Sequence, residues 1–303
     1  MFTPRRRPDR RGKVNRPKGL VLPAILFLLA ITQAPFVFTV FYAFRSWNLL
    51  RPDQGKHWVG FANFTGLSHA QPTLAKAVGQ TVVLSVSTIV LATIFGMALA
   101  LLLKSPFRGR GLLRTALISP MLIMPVVTGI IWKKLVFDTG SGILPWLAQQ
   151  LGDRGFAPLS QHPMTAVVIM SVWEWTPFAM VIILSGLSSL DSTAMEAARV
   201  DGATTWQMFR HITLPHLSSY LAVVVLLGLI LILPTFAVIY VTTAGGPGYL
   251  TTNLAYAVYQ QAFTNYDIGA ASALALTDAV FVVITMTALM KIIGKKIVRG
   301  EVL

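Results

Sequence analysis

The 303-residue chain contains no cysteine and little charge. Without cysteine it can form no disulfide, no thiolate nucleophile and no cysteine-ligated zinc site. Only 12% of its residues are charged, whereas soluble domains carry about 25%, and 54% are hydrophobic. A soluble enzyme of this length could not cover so much apolar surface. The composition therefore predicts an integral membrane protein.

Motifs for nucleotide and metal chemistry are also missing from the sequence. Gly-Lys occurs at 12–13, 55–56 and 294–295, but none of these pairs lies in a G-x-x-x-x-G-K-[ST] phosphate loop. The five histidines form no H-E-x-x-H pair. We therefore expect a protein that is not an enzyme, with no metal and no cofactor of its own. A membrane-embedded enzyme is the alternative class, and the lack of a nucleophile–base pair disfavours it.

Six apolar stretches are long enough to cross a bilayer, which takes about 20 helical residues. They predict an all-α membrane protein with spans at 20–44, 80–103, 112–132, 164–188, 216–241 and 269–290. Small residues recur at every fourth position at Ala92, Gly96 and Ala100, and again at Gly269 and Ala273. This spacing predicts that helices approach each other closely along those faces.

The basic residues predict how the spans are oriented. With the N-terminus inside, the segments on the cytoplasmic side hold 18 Lys and Arg and the external segments hold 7. The positive-inside rule then places both termini in the cytoplasm of a multi-pass protein of the cell membrane. The net charge of +14 is thereby explained by anionic lipid headgroups. We expect no binding of nucleic acid.

We predict one membrane domain without a separate soluble domain. Residues 1–19 form a basic arm, 20–296 the six-span domain and 297–303 a short tail, with the arm and the tail in the cytoplasm.

The segment between the fourth and fifth spans carries the most informative pattern. Thr193 followed by Glu196 predicts a capping box that opens a helix. Gly202 predicts the end of that helix. A second helical piece, at about 204–211, leads to Pro215 in the first turn of the next span. Residues 191–215 are called the EAA segment below.

The EAA segment resembles the EAA loop of binding-protein-dependent ABC importer permeases. Glu196-Ala197-Ala198 is followed after three residues by Gly202 and, nine residues later, by Ile212-x-Leu214-Pro215. The resemblance implies a type I importer permease fold whose EAA segment holds a coupling helix that docks on an ATP-binding subunit. The coupling residues that it implies are Glu196, Ala197, Ala198, Asp201, Gly202, Ile212, Leu214 and Pro215.

Other stretches, including 58–64, 109–127, 241–263 and 267–275, are similar to the carbohydrate branch of these permeases. SWNLL at 46–50 and GGPGYLTTNLAY at 245–256 are most similar to sorbitol/mannitol-type polyol permeases. The resemblance implies import of a sugar or polyol, or of a related solute such as glycerol phosphate or an oligosaccharide. It implies a second permease subunit, two ATP-binding subunits that hold ATP and Mg²⁺, and an extracytoplasmic solute-binding protein.

Two acidic residues lie inside predicted spans, Glu174 in the fourth and Asp278 in the sixth. An ionisable group at such a depth is expected to face protein or water, in a substrate pathway or in a contact between helices. Trp173 and Trp175 flank Glu174 and could stack on a sugar ring, or pack at the membrane interface. Asn253 and Tyr256 are further pathway candidates near the external mouth.

Overall fold

The computed structural model describes residues 18–70 and 72–298. Over these residues the chain forms helices and no β-strand, with isolated antiparallel bridges at Arg45–Trp58 and Asn48–Asp267. The helices are α1 Lys18–Ala43, α2 Ala62–Gly66, α3 Leu74–Lys104, α4 Arg110–Ile118, α5 Pro125–Ile131, α6 Ile143–Gln150, α7 Pro158–Gln161, α8 Pro163–Ser188, α9 Ser192–Val200, α10 Thr205–Met208, α11 Leu214–Ile232, α12 Ala237–Thr242, α13 Leu254–Tyr259 and α14 Ile268–Val298. Short 3-10 turns cover Pro52–Gln54 and Ser119–Leu122, and π-helical turns cover Trp132–Val136, Phe209–Thr213 and Gln260–Thr264.

Five helical stretches are long and apolar enough to cross a membrane. They are Leu22–Ala43, Leu74–Lys104, Pro163–Ser188, Thr205–Ile232 and Ile268–Ile292. They coincide with five of the six predicted spans, so the prediction of an all-α membrane protein is confirmed. Most of the predicted arm (1–19) and tail (297–303) lies outside the described residues, and both stay predictions.

The third predicted span, 112–132, is not one straight helix. Arg110–Leu122 and Pro125–Val136 are bent by 103° relative to each other. The break falls at Ile123 and Met124, whose ψ angles of 136° and 138° are extended. Proline disfavours the helical conformation of the residue before it, so Pro125 forces Met124 out of the helix. The expected uninterrupted helix is therefore corrected, and a count of six spans holds only if this bent pair is one span.

The fifth predicted span, 216–241, also differs in its bounds. The helical stretch begins already at Thr205 and α11 ends at Ile232. Pro234 has no N–H to donate to a helical carbonyl, so the helix cannot continue through it. The chain continues as the separate short helix α12, which packs against α5. The two helices are so close at Gly129 of α5 that a side chain at this position would have no room. Residues 233–236 thus form a break inside the predicted span.

The packed centre of the molecule is the pair α3 and α8. Ala92, Gly96 and Ala100 are all buried, and a Cβ on Gly96 would lie 2.8 Å from Ala179 Cβ and from Met180 N. The close approach predicted from the small-residue spacing is confirmed there. α14 packs along α1, and Gly269 lies against the backbone carbonyl of Arg45.

Candidate functional site

The first helix of the EAA segment begins at a different cap from the predicted one. Asp191 is the N-cap, and its Oδ1 accepts a 2.9 Å hydrogen bond from Thr193 N. Glu196 is the fifth residue of α9, two residues beyond the position from which a glutamate closes a capping box. The predicted Thr193–Glu196 capping box is therefore wrong, because an Asp two residues earlier is the better N-cap. The Glu196 side chain is exposed and forms no ion pair or hydrogen bond with a described residue.

Gly202 ends α9 as the sequence predicts. Its φ of +79° lies in the left-handed region, which a residue with a Cβ adopts at a cost. Gly202 N donates to Arg199 O over 3.1 Å, and Ala203 N donates to Ala198 O over 2.9 Å. These two bonds form a Schellman motif that satisfies the last carbonyls of the helix. No heavy atom lies within 4 Å of a Cβ placed on Gly202, so the backbone angle and not space selects glycine.

The second helical piece of the EAA segment does not stop at His211. Thr204 and Gln207 form a capping box at the start of α10. The chain then runs through the π-helical turn Phe209–Thr213 directly into α11, with Pro215 in its first turn. A displacement of α10 is therefore transmitted to the spanning helix α11 without an intervening loop.

The EAA segment presents an exposed surface beside a groove. Val200 is 88% exposed and Trp206 is 65% exposed, while Ala197, Asp201 and Gly202 are also exposed. The groove has a volume of about 680 Å³ and lies between α9, α10 and the end of α3, at Leu101 and Lys104. Exposed apolar side chains next to a concave surface are typical of a protein–protein contact.

The three candidates on α8 point to two different cavities. Trp173 contacts Trp132 with ring centroids 5.8 Å apart, and both line an apolar cavity of about 570 Å³. Glu174 and Trp175 line a separate cavity of about 240 Å³. Glu174 is only 6% exposed and forms no ion pair or hydrogen bond with a described residue. The structure thus brings a carboxyl group and one indole together and directs the other indole elsewhere.

Asn253 and Tyr256 are buried inside the fold and do not lie at a mouth open to solvent. Asn253 is fully buried, and its Oδ1 accepts from Tyr256 N over 2.9 Å while its Nδ2 donates to Thr235 O. The asparagine therefore caps α13 and ties it to the break after α11. Tyr256 is also buried, with its ring packed on Phe236, which lines the Glu174 cavity.

Asp278 is not brought to the Glu174 cavity. It lies half-buried on α14, and none of the residues that line that cavity belongs to α14. Its carboxyl group forms no ion pair or hydrogen bond with a described residue.

Known proteins resemble the chain over most of its length. Residues 81–299 match the family described as the binding-protein-dependent transport system inner membrane component. The chain belongs to this family. It is the permease subunit of an ABC importer and not its ATPase.

Relatives of this permease agree with its length and fold. A probable ABC transporter permease protein of Sinorhizobium fredii is 35% identical, over 91% of this chain and 89% of the relative. The trehalose/maltose transport system permease protein MalF of Thermococcus litoralis is 31% identical, over 82% and 83%. Among solved structures, a chain of a bacterial ABC transporter involved in the import of the acidic polysaccharide alginate has a TM-score of 0.76. That match covers 91% of this chain and 94% of the other at 21% identity, so it shows the fold alone.

Two further residues of the permease lie beside Glu174 and were not predicted from the sequence, one polar and one aromatic. Ser171 lies one turn before Glu174, and its hydroxyl is buried without a hydrogen-bond partner among the described residues. Residues three apart lie on the same face of a helix, so the spacing between Ser171 and Glu174 could have identified Ser171 from the sequence. Phe236 could not be found from the sequence, because the break after Ile232 brings it to the cavity. No cluster of potential metal ligands occurs in residues 18–70 and 72–298.

Proposed function

We propose that this permease imports a neutral sugar or polyol that an external binding protein delivers, driven by ATP-binding subunits docked on the EAA segment. The observation that carries the proposal is the exposed helix α9, with an unpaired Glu196 carboxylate. The Gly202 turn joins α9 to α10, and α10 continues through the π-helical turn into α11. A partner that moves α9 would therefore move a spanning helix.

The proposed assembly has a second permease subunit, two ATP-binding subunits and a solute-binding protein. The description of the family as binding-protein-dependent and the naming of relatives as ABC transporter permeases support this assembly. ATP and Mg²⁺ would be held by the ATP-binding subunits, so this chain would need no cofactor of its own. The docking residues would be the exposed ones of the implied coupling set, with Val200 and Trp206 supplying apolar contact.

The cavity beside α8 supports a neutral polyhydroxy solute. Glu174 and the free hydroxyl of Ser171 provide hydrogen-bonding groups, and Trp175 and Phe236 provide aromatic surface. Aromatic faces suit the C–H face of a sugar, and a carboxyl group accepts hydrogen bonds from hydroxyls. Among the described residues no Lys or Arg lines the cavity, so glycerol phosphate would find no cation there. The trehalose/maltose relative agrees with a neutral carbohydrate.

The proposal is tested by uptake into vesicles that contain the complete transporter. Radiolabelled sorbitol, mannitol, maltose, trehalose and glycerol phosphate are each offered with the binding protein and ATP. We expect ATP-dependent uptake of one of the four neutral solutes and none of glycerol phosphate. Vesicles that lack the ATP-binding subunit are the control. Uptake that is independent of ATP, or uptake of glycerol phosphate alone, would contradict the proposal.

The orientation is a part of the proposal that can be tested separately. The 18 to 7 distribution of Lys and Arg supports cytoplasmic termini and a cytoplasmic EAA segment. Because the chain has no native cysteine, Ser192→Cys and Thr264→Cys each provide one exposed thiol. In intact cells an impermeant thiol reagent should label Thr264→Cys and leave Ser192→Cys unlabelled. The reverse pattern would overturn the orientation.

A further inference from the structure

Polar side chains join the spanning helices α8 and α11 at the points where the EAA segment leaves α8 and enters α11. α8 ends at Ser188, and α11 begins at Leu214. Ser189 Oγ lies 3.1 Å from His216 Nε2 and 2.9 Å from Tyr220 Oη. His216 Nε2 also lies 3.1 Å from Gly186 O. Ser189, His216 and Tyr220 are called the root clamp below.

The direction of each hydrogen bond in the root clamp follows from what its atoms can donate. Gly186 O can only accept, and Ser189 Oγ donates to it over 2.9 Å. His216 Nε2 must carry a proton, because otherwise two acceptors would face each other at 3.1 Å. Since Ser189 has used its one proton, Tyr220 Oη donates to Ser189 Oγ. His216 of α11 thus donates to a carbonyl in the last turn of α8 that also accepts from Ser189, and Tyr220 of α11 donates to the Ser189 hydroxyl.

Apolar packing directly beneath the root clamp holds the same two helices in contact. A Cβ on Gly186 would lie 2.7 Å from Leu217 Cδ2 and 2.7 Å from Tyr220 Cδ2. Leu217 is fully buried in a cluster that includes Ile183 and Leu187 of α8. The helices therefore touch without a gap, and the hydrogen bonds above fix their register.

We propose that the root clamp makes α8, α11 and the EAA segment move as one body, so that Ser189, His216 and Tyr220 are positioning residues for coupling. This inference rests on the proposed docking of an ATP-binding subunit on α9. Without the clamp, α9 could tilt about its roots while the spans stayed in place. ATP would then be hydrolysed without a matching import of solute.

The test measures solute imported per ATP hydrolysed by the complete transporter in vesicles. His216→Ala removes the Nε2 donor and should lower this ratio about fivefold, the effect expected from one lost hydrogen bond. His216→Gln places an amide N–H near the same position and should restore most of the ratio. Tyr220→Phe keeps the ring against Gly186 and loses only the hydroxyl, so it should lower the ratio less than His216→Ala. Ser188→Ala is the matched control, because its hydroxyl bonds only Leu184 O within α8.

A second measurement reports on the helices themselves. Spin labels at Ser185→Cys and Ser219→Cys, two exposed positions on α8 and α11, should keep one narrow distance distribution through ATP binding. In the His216→Ala background that distribution should broaden. An unchanged ratio and an unchanged distribution in His216→Ala would overturn the clamp. A wild-type complex that imports no solute, or that does not retain the ATP-binding subunit, would instead overturn the proposed function.

Discussion

The helix α8 carries two polar regions that differ in how their hydrogen bonds are satisfied. At its end, Ser189 and the Gly186 carbonyl are paired with side chains from α11. Nearer the middle of the same helix, Ser171 and Glu174 have no hydrogen-bond partner among the described residues and face a cavity. A buried polar group without a partner costs free energy, and at a cavity a ligand or water can supply that partner. The paired region holds helices together, and the unpaired region is suited to receive a solute.

We expect substitutions in the two regions to impair transport in different ways. Changes in and around the EAA segment should alter the retention of the ATP-binding subunit or the solute imported per ATP. Changes at Glu174 should alter uptake while leaving both of these quantities intact. The predictions below test this separation, starting with the largest expected effect.

Gly202→Val should abolish uptake, with a loss of at least about tenfold. Valine is β-branched, and the φ of +79° costs such a residue about 1–2 kcal/mol or more of strain. The Schellman motif would open and α9 would leave its docking position. Recovery of the ATP-binding subunit with the purified permease should fall in parallel, while membrane insertion is unchanged. Gly202→Asn is the matched control, because asparagine tolerates the left-handed region and should keep most of the uptake.

Full uptake and full recovery of the ATP-binding subunit in Gly202→Val would show that the shape of this turn does not matter for coupling.

Glu174→Gln should lower uptake about tenfold at low solute concentration. Replacing the carboxyl group by an amide exchanges an acceptor oxygen for a donor, removes a hydrogen bond to solute hydroxyls worth about 0.5–1.5 kcal/mol, and leaves the cavity volume almost unchanged. The apparent affinity for the solute should weaken, while the retained ATP-binding subunit and the spin-label distances at the root clamp stay as in wild type. Ser171→Ala should give the same defect in a weaker form. A loss of ATP-binding subunit in Glu174→Gln would erase the separation between the two regions.

The sequence predicted the position of the spans and the Gly202 turn because both depend on local properties. Hydrophobic length sets the spans, and a glycine directly after a short helical stretch marks a helix end. It did not predict the bend at Pro125 or the break before Ala237, since prolines in membrane helices are often tolerated without a break. It also misplaced the cap of α9, where Asp191 competed with Thr193.

The residues of the candidate site were predicted from the sequence only in part. Glu174 stands out in a sequence because a carboxyl group within an apolar run is unusual. Asn253 stood out equally as a polar residue, yet its side chain is consumed in capping α13. The root clamp was not predicted from the sequence, because Ser189 and His216 lie 27 residues apart and are brought together only by the packing of α8 against α11.

Asp278→Asn should lower uptake by about threefold, less than Glu174→Gln. Asp278 lies outside the Glu174 cavity, so it does not contact a solute held there. The asparagine keeps the shape and most of the hydrogen-bonding capacity. Uptake kinetics and the amount of permease in the membrane are measured together. Unchanged kinetics would remove Asp278 from the pathway candidates and leave it as a residue that faces another subunit.

Glu196→Gln should have the smallest effect, about twofold in uptake, with a matching decrease in the recovery of the ATP-binding subunit. Glu196 is exposed and caps nothing, so the substitution removes one charge from the docking surface and leaves α9 intact. An exposed ion pair is worth about 0.2–1 kcal/mol and is screened by salt. The difference from wild type should therefore shrink as the ionic strength is raised. Thr193→Ala is the control for the helix itself, because Asp191 accepts from the backbone of residue 193 and not from its side chain. If Glu196→Gln matched Gly202→Val in severity at every salt concentration, the carboxylate would have to bind in a desolvated pocket of the partner rather than at an exposed rim.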